Sequence, residues 1–240
     1  MCAWLSPLTR PVPRFVAAPW PSDPADASAL LGLDASASDD AAARSDWALD
    51  AFSLTAEAQL RLPLVLLHSL GLLRRFHISP DKVHDLVTAV AARMEAQPFH
   101  SFPHVLMVRA MRQDHHTKTV HSDTASRQVM SAATELLVGS SLQSSVLRDT
   151  DALALLLGAL CHDLEHPGRT NGFLIRTRHE LAMRYLDASP LEHHHASVGL
   201  TLIEQTGVLA HLPPDERGEV MRTFVAAILA TDSACRAARE

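Results

Sequence analysis

The stretch "DALALLLGALCHDLEHPGRTN" (residues 151–171) joins an apolar run to two histidines and a carboxylate. The apolar run ends at Cys161, and His162, Asp163 and His166 follow within five residues. It is too short to span a bilayer and is typical of a buried helix, which Pro167 and Gly168 are expected to end. Burying imidazole and carboxylate groups without partners is costly, so the pattern favours a bound metal ion.

Helical patterns extend outward from this stretch, beginning at Trp47, and alternating strand patterns are absent. Residues 79–97 start with Ser79 as a candidate cap and Pro80 at the first helical position. One apolar stripe follows, made of Val83, Leu86, Val87, Val90, Ala91 and Met94. Further helices are expected over residues 58–73, 149–160 (capped by Asp149, Thr150 or Asp151), 198–203 and 213–232. The chain is therefore predicted to be an all-α, multi-helix domain.

The composition is that of a globular protein with one unusual feature. The 240 residues are 47% hydrophobic and carry a net charge of -6, which does not favour nucleic acid as a partner. Histidine is frequent, with 15 copies, and it is the commonest metal ligand. The three cysteines are far apart and odd in number, which indicates a reducing compartment. No apolar run predicts a transmembrane segment, so a cytoplasmic location is expected, with an N-terminal transit peptide as the alternative.

Two segments stand apart from the helical pattern. Residues 1–44 are rich in Pro, Ala and Ser and are predicted to be a disordered tail, which leaves residues 45–240 for the helical domain. Residues from about 114 to 145 are polar and are predicted to be an exposed insertion. The histidines in its first part are expected to lie in solvent.

Two further histidine groups flank the opening stretch. In "QPFHSFPHVLMV" (residues 97–108), His100 and His104 are four apart, and Pro103 requires that a helix begin there. His104 would then lie in the first helical turn, while His100 would precede the helix and be freer to move. In "PLEHHHASVG" (residues 190–199), Glu192 and His195 are three apart and could share a helix face. Each group alone has a structural explanation, but the three together favour a metal site.

The ligand types indicate which chemistry such a site would support. Mixed histidine and aspartate ligands suit zinc, whereas carboxylate and water suit magnesium or manganese. Two neighbouring ions can lower the pKa of a water held between them and stabilise charge on a phosphoryl group. A nearby histidine could then protonate the leaving oxygen.

Four motifs in order along the chain resemble those of one family, the class I cyclic-nucleotide phosphodiesterases, a branch of the HD-type metallohydrolases. "HDLEHPGRTN" (residues 162–171) is similar to the family's His-Asp-x-x-His-x-x-x-x-Asn signature. "FHSFPH" (residues 99–104), "SPLEHHH" (189–195) and "ILATD" (228–232) are similar to its other motifs. The resemblance runs from about Trp47 to the C-terminus and implies an HD-type helical fold.

This resemblance implies hydrolysis of cAMP or cGMP to the 5′-monophosphate with two divalent ions, zinc and either magnesium or manganese. His104, His162 and Asp163 would bind the zinc-type ion, Asp163 would also reach the second ion, and His100 would protonate the O3′ leaving group. The remaining motif residues would act around these. His166, Glu192, His195 and Thr231 would orient waters of the second ion, and Asn171 and Asp232 would be structural.

The sequence also departs from the family pattern. Phe99, Ser101 and His193 replace the family's Tyr, Asn and Asn beside the reacting groups. The family's fourth metal ligand, an Asp, and its purine-binding Gln would come after Glu240, so the resemblance implies a C-terminally incomplete domain and leaves the choice between cAMP and cGMP open. One alternative is an inactive domain that acts through contacts at the exposed face, with a homodimer or a protein partner. Another is hydrolysis of a different phosphate ester.

Overall fold

The structure, a computed structural model, describes residues 55–94, 101–106 and 147–232. Within these ranges it contains nine helices and no strand, which confirms the predicted all-α class. The helices are α1 (Ala56–Ser69), α2 (Leu72–Arg75), α3 (Pro80–Ala91), α4 (Phe102–Leu106), α5 (Asp149–Cys161), α6 (Asn171–Arg176), α7 (Glu180–Arg184), α8 (Pro190–Thr206) and α9 (Pro214–Leu229). The predicted tail (1–44) and polar insertion (114–145) lie outside the described residues.

Most predicted helix starts agree with the structure. Helix α3 begins at Pro80, and the carbonyl of Ser79 accepts hydrogen bonds from Lys82 and Val83, although the Ser79 hydroxyl makes no capping bond. Helix α5 begins at Asp149 and its N-cap is Arg148, whereas the sequence predicted Asp149, Thr150 or Asp151 as the cap. The Asp151 carboxylate instead accepts a hydrogen bond from the Arg148 backbone N–H at 3.2 Å, which satisfies one of the unpaired donors of the first turn.

Helix α5 forms the centre of the core and packs most extensively against α9. Ten of its 13 residues are buried, which agrees with the continuous apolar run of the sequence. Helices α8 and α9 approach it closely at glycines: a Cβ on Gly158 would lie 3.4 Å from the Cβ of Ala227. A Cβ on Gly199 of α8 would lie 3.1 Å from the Cβ of Cys161 at the end of α5, and 2.7 Å from Cζ of Phe224 in α9. Backbone proximity thus fixes the position of α8 relative to the end of α5.

A smaller apolar cluster joins α6, α7 and α8 beside this core. It is formed by Leu174, Leu181, Ala182 and Leu191, with Ile175 and Tyr185 packed against it. The cluster holds the segment after the histidine-rich turn against the start of α8. In the part of the chain that the structure describes, no helix is long and apolar enough to cross a membrane.

The end of α5 corrects one expectation. The sequence predicted helix up to Pro167, but α5 ends at Cys161 and residues 162–165 form a turn. Backbone hydrogen bonds from Leu164 to Cys161 and from His166 to Asp163 replace the helical pattern. Glu165 has φ 55°, in the left-handed region, which stops a right-handed helix. His162 and His166, although four residues apart, therefore do not lie on one helix.

Candidate metal centre

The strongest candidate ligand pair is His162 and Asp163, at the C-terminal end of α5. Both side chains are buried, with 6% and 8% of the residue exposed. The Nδ1–H of His162 donates to the carbonyl oxygen of Ala159 at 2.8 Å, which leaves Nε2 as the ring nitrogen that can bind a cation. Nε2 lies 3.3 Å from Oδ2 of Asp163. Two ligands of a tetrahedral zinc ion are separated by about 3.3 Å, so the donor chemistry and spacing of this pair fit a shared cation.

The charges around this pair also favour a cation. Burial lowers the pKa of His162, but the charge and hydrogen bond of Asp163 and the bond to Ala159 outweigh it and raise the pKa above its usual value. Burial raises the pKa of Glu192, and the charges of Asp232 and Asp163 raise it further. The charges of Asp163 and Asp232 therefore repel the Glu192 carboxylate. A divalent ion bound at Asp163 would offset that negative charge.

His195 and His166 lie next to the pair and are held in fixed orientations. The Nδ1–H of His195 donates to the carbonyl oxygen of Leu164 at 2.5 Å. Burial lowers the pKa of His195 to about 3, so the ring is neutral at physiological pH. The His166 ring stacks on it with 5.6 Å between ring centroids, and His166 Nδ1 accepts a hydrogen bond from the backbone N–H of Gly168 at 3.0 Å. Both rings thus have Nδ1 engaged, which fixes the tautomer of each.

Asn171 connects two of the motifs directly. Its amide nitrogen donates to Glu192 Oε2 at 2.8 Å, and its amide oxygen accepts from the backbone N–H of Leu191 at 3.0 Å. The side chain thereby places the first turn of α8 beside the segment that follows the histidine-rich turn. This contact fits the structural role that the family resemblance implies for Asn171.

The end of α9 makes a second connection to the start of α8. The hydroxyl of Ser189 donates to Oδ2 of Asp232 at 2.7 Å, and Asp232 is buried. The hydroxyl of Thr231 donates to the carbonyl oxygen of Ile228 at 2.7 Å, and the residue is exposed. Asp232 therefore holds the N-terminal end of α8 close to the C-terminal end of α9, whereas Thr231 is exposed at the C-terminal end of α9.

Two of the predicted residues are not fully described. His104 lies in α4, as expected from Pro103, and α4 packs against α1 and α5, but the His104 side chain lies outside the described part of the structure. His100 lies outside the described residues altogether. Among the side chains that are described, no three His, Cys, Asp or Glu residues are arranged to hold one ion. The roles of His100 and His104 therefore stay predictions.

Sequence reasoning missed three residues that contact one another at the histidine-rich turn. Glu165 lies inside the histidine-rich turn, and its carboxylate contacts Arg93 at 2.5 Å and Nε2 of His194 at 2.9 Å. The hydrogen bond from His194, and after it the one from Arg93, lowers the pKa of Glu165 despite partial burial. Glu165 and His194 were visible inside the motifs, but nothing in the sequence indicated Arg93, because its contact joins positions 72 residues apart.

The chain is similar to known cyclic nucleotide phosphodiesterases. Residues 120–238 match the family model described as 3′5′-cyclic nucleotide phosphodiesterase. The chain is similar to the human high affinity cGMP-specific 3′,5′-cyclic phosphodiesterase 9A, with 34% identity over 70% of this chain and 25% of that protein. It is also similar to the mouse 3′,5′-cyclic-AMP phosphodiesterase 4C, with 37% identity over 47% of this chain and 17% of that protein. The chain thus spans about a quarter of the human relative's length.

A solved structure supports the same relationship at the level of the fold. The phosphodiesterase domain of the RhoPDE fusion protein from the choanoflagellate Salpingoeca rosetta superposes with a TM-score of 0.68 and 27% sequence identity. The alignment covers 80% of this chain and 54% of that domain chain. The helical arrangement described above is therefore that of about half of the solved domain.

Proposed function

Because this chain carries part of a class I 3′,5′-cyclic nucleotide phosphodiesterase catalytic domain, we propose that it hydrolyses cAMP or cGMP to the 5′-monophosphate. The observation that carries the proposal is the 3.3 Å approach of His162 Nε2 to Asp163 Oδ2 in a buried setting. The similar human and mouse proteins are named for cGMP and cAMP respectively, so the comparisons support the substrate class without selecting one base.

Divalent metal dependence is general in this family, and the described residues fit it. We propose that His104, His162 and Asp163 would hold a zinc-type ion, and that Asp163 would also reach a second ion, magnesium or manganese. When bound, such ions lower the pKa of a water and stabilise negative charge on the phosphoryl group. The 3.3 Å spacing, and the negative charge that Asp163 and Asp232 place near Glu192, are the structural support for this assignment.

The chain's own residues would position water and move the proton. His100 would donate a proton to the O3′ leaving oxygen. His195 is neutral with Nδ1–H engaged at Leu164, so its Nε2 can accept a hydrogen bond from water. His166, Glu192 and Thr231 would orient further water molecules. Burial of the pair at the end of α5 limits competing hydration and strengthens these electrostatic interactions.

The test is hydrolysis by the full 240-residue chain loaded with zinc and magnesium. Cyclic GMP and cyclic AMP would each be followed by chromatography of the 5′-monophosphate product. We expect turnover that Asp163→Asn abolishes and that Glu204→Gln retains, because Glu204 pairs with Arg217 on the surface away from the site. Absence of turnover by soluble, metal-loaded protein would contradict the proposal. The expected cytoplasmic location and homodimer or protein partner stay predictions.

A further inference from the structure

Two consecutive histidines of α8, His194 and His195, bind the turn (residues 162–165) that carries the candidate ligands. His195 binds the carbonyl oxygen of Leu164 at 2.5 Å, and His194 binds the carboxylate of Glu165 at 2.9 Å. Adjacent residues of α8 thus hold adjacent residues of the turn. Leu164 and Glu165 directly follow Asp163, so any movement of the turn would move that carboxylate relative to His162.

Glu165 is also held by a third element. Arg93, which follows the C-cap residue of α3, contacts the second oxygen of the same carboxylate at 2.5 Å. The carboxylate therefore bridges α3, the turn and α8. All three side chains are largely shielded from water, with exposed fractions of 24% for Arg93, 23% for Glu165 and 14% for His194. This separates the cluster from an ordinary surface ion pair, which contributes little because water and salt screen it.

The backbone of Glu165 indicates why such contacts are required. Its φ of 55° lies in the left-handed region, which residues with long side chains seldom adopt and which costs free energy unless the surroundings impose it. This conformation ends the helical direction of α5 and turns the chain toward His166. The two ion-pair partners hold the side chain in place and so compensate for an unfavourable backbone conformation.

We propose that Glu165, clamped by Arg93 and His194, is a positioning residue that holds the metal-binding turn in its ligand-competent shape. The inference rests on the proposed metal site and deepens it. It states that the cluster of Glu165, Arg93 and His194 sets the relative positions of His162 and Asp163 without contacting either side chain. Mutation of residues that orient metal ligands without binding the ion commonly lowers metal affinity by about 10-fold to 100-fold. Glu165→Gln should therefore weaken metal binding by at least about 10-fold.

The experiment measures metal affinity directly, without relying on activity. The purified metal-free chain would be titrated with Co²⁺, following the visible absorption band of the bound ion, and with Zn²⁺ against a chelator of known affinity. The variants are Glu165→Gln, Glu165→Asp and Arg93→Met, with Glu204→Gln as the matched control. The control breaks an ion pair between α8 and α9 that lies away from the turn.

We expect Glu165→Gln and Arg93→Met to weaken Co²⁺ and Zn²⁺ binding by at least about 10-fold and to alter the Co²⁺ band, while Glu204→Gln binds as the unmodified chain does. Glu165→Asp keeps the charge and should restore part of the affinity. We expect the metal-free Glu165→Gln protein to melt below the control, because it loses shielded contacts, so metal affinities are compared at a temperature below the unfolding transition of every variant. Unchanged metal affinity in Glu165→Gln would overturn the inference alone, whereas an unmodified chain that binds neither ion would overturn the proposed function with it.

Discussion

Replacing Gly199 by alanine tests the close approach of helices on which the site's geometry depends. The added Cβ would lie 2.7 Å from Cζ of Phe224 and 3.1 Å from Cβ of Cys161. Phe224 is fully buried, so its ring has no space into which it can move. Overpacking of this kind costs about 1–3 kcal/mol, whereas alanine in place of glycine within a helix gains about 1 kcal/mol. Because real Cβ atoms essentially never approach another atom as closely as 2.7 Å, the cost should lie in the upper part of this range, about 2–3 kcal/mol, which leaves a net loss of about 1–2 kcal/mol.

The matched control is Gly218→Ala in α9. There the added Cβ meets only the guanidinium end of Arg222, at 3.2 Å, and that exposed side chain can move away. The control should therefore keep the helix-propensity gain and equal or exceed the stability of the unmodified chain. Thermal unfolding followed by circular dichroism would show a fall of about 2–8 °C for Gly199→Ala.

A double variant identifies the cause of that loss. Phe224→Leu removes the ring atom that the new Cβ would meet, so Gly199→Ala combined with Phe224→Leu should lose less stability than the sum of the two single changes, by at least about 0.5 kcal/mol. Strict additivity would show that the two side chains do not meet. A Gly199→Ala variant as stable as the unmodified chain would refute the close packing of α8 against α5 and α9.

Three further perturbations test separate features of the structure. Asn171→Ala removes hydrogen bonds to Glu192 and to the backbone of α8 and should cost about 1–2 kcal/mol, seen as a lower urea midpoint at an unchanged slope; an unchanged midpoint would contradict this. Hydrogen bonds from Arg148 hold the pKa of Asp151 below its ordinary value of 3.8, so their stabilisation is present above pH 3.8 and is lost as the pH falls through the folded pKa. Asp151→Asn should accordingly melt below the unmodified chain at neutral pH and converge with it in acid, and a constant difference would count against the ion pair. Burial raises the pKa of the Cys161 thiol, so peptide mapping should find Cys161 unalkylated by iodoacetamide until the protein unfolds, and rapid labelling of the native chain would be inconsistent with the core.

Much of the fold could be predicted because periodic apolar residues encode helices locally. The stripe from Val83 to Val90 is buried in α3 as expected, and the apolar run before His162 forms the central helix α5. Proline positions likewise predicted the starts of α3 and α9, where proline occupies the first helical turn, whereas α8 begins at Pro190, ahead of the segment 198–203 that was expected to be helical. These signals depend on neighbouring residues, which a sequence displays directly.

The end of α5 could not be predicted because its cause is not local. The sequence of residues 162–166 predicts that the helix continues to Pro167. In the structure, however, the Glu165 carboxylate binds Arg93 and His194. Those partners lie 72 and 29 positions away, and no spacing rule connects them. The φ of 55° at Glu165 redirects the chain, and residues 162–165 form a turn where the sequence predicted helix.

The candidate site was predicted in its residue types but not in its internal contacts. The motifs pointed to Glu192 and His195, and the structure brings both toward the end of α5 through Asn171 and Leu164. The hydrogen bond from Ser189 to Asp232 had no sequence signal, since it joins residues from two separate motifs. Such contacts are set by the packing of α8 and α9 rather than by spacing within either motif.

The central claim is that His162 and Asp163 hold a divalent cation together. Anomalous scattering from crystals of the chain grown with Co²⁺ measures this most directly, because the peak marks the ion independently of the protein coordinates. The account predicts a peak bonded to Nε2 of His162 and to a carboxylate oxygen of Asp163, each at about 2.1 Å, with His104 as a further ligand. No peak between these two side chains in crystals that contain cobalt elsewhere, with Nε2 and Oδ2 still 3.3 Å apart, would contradict it.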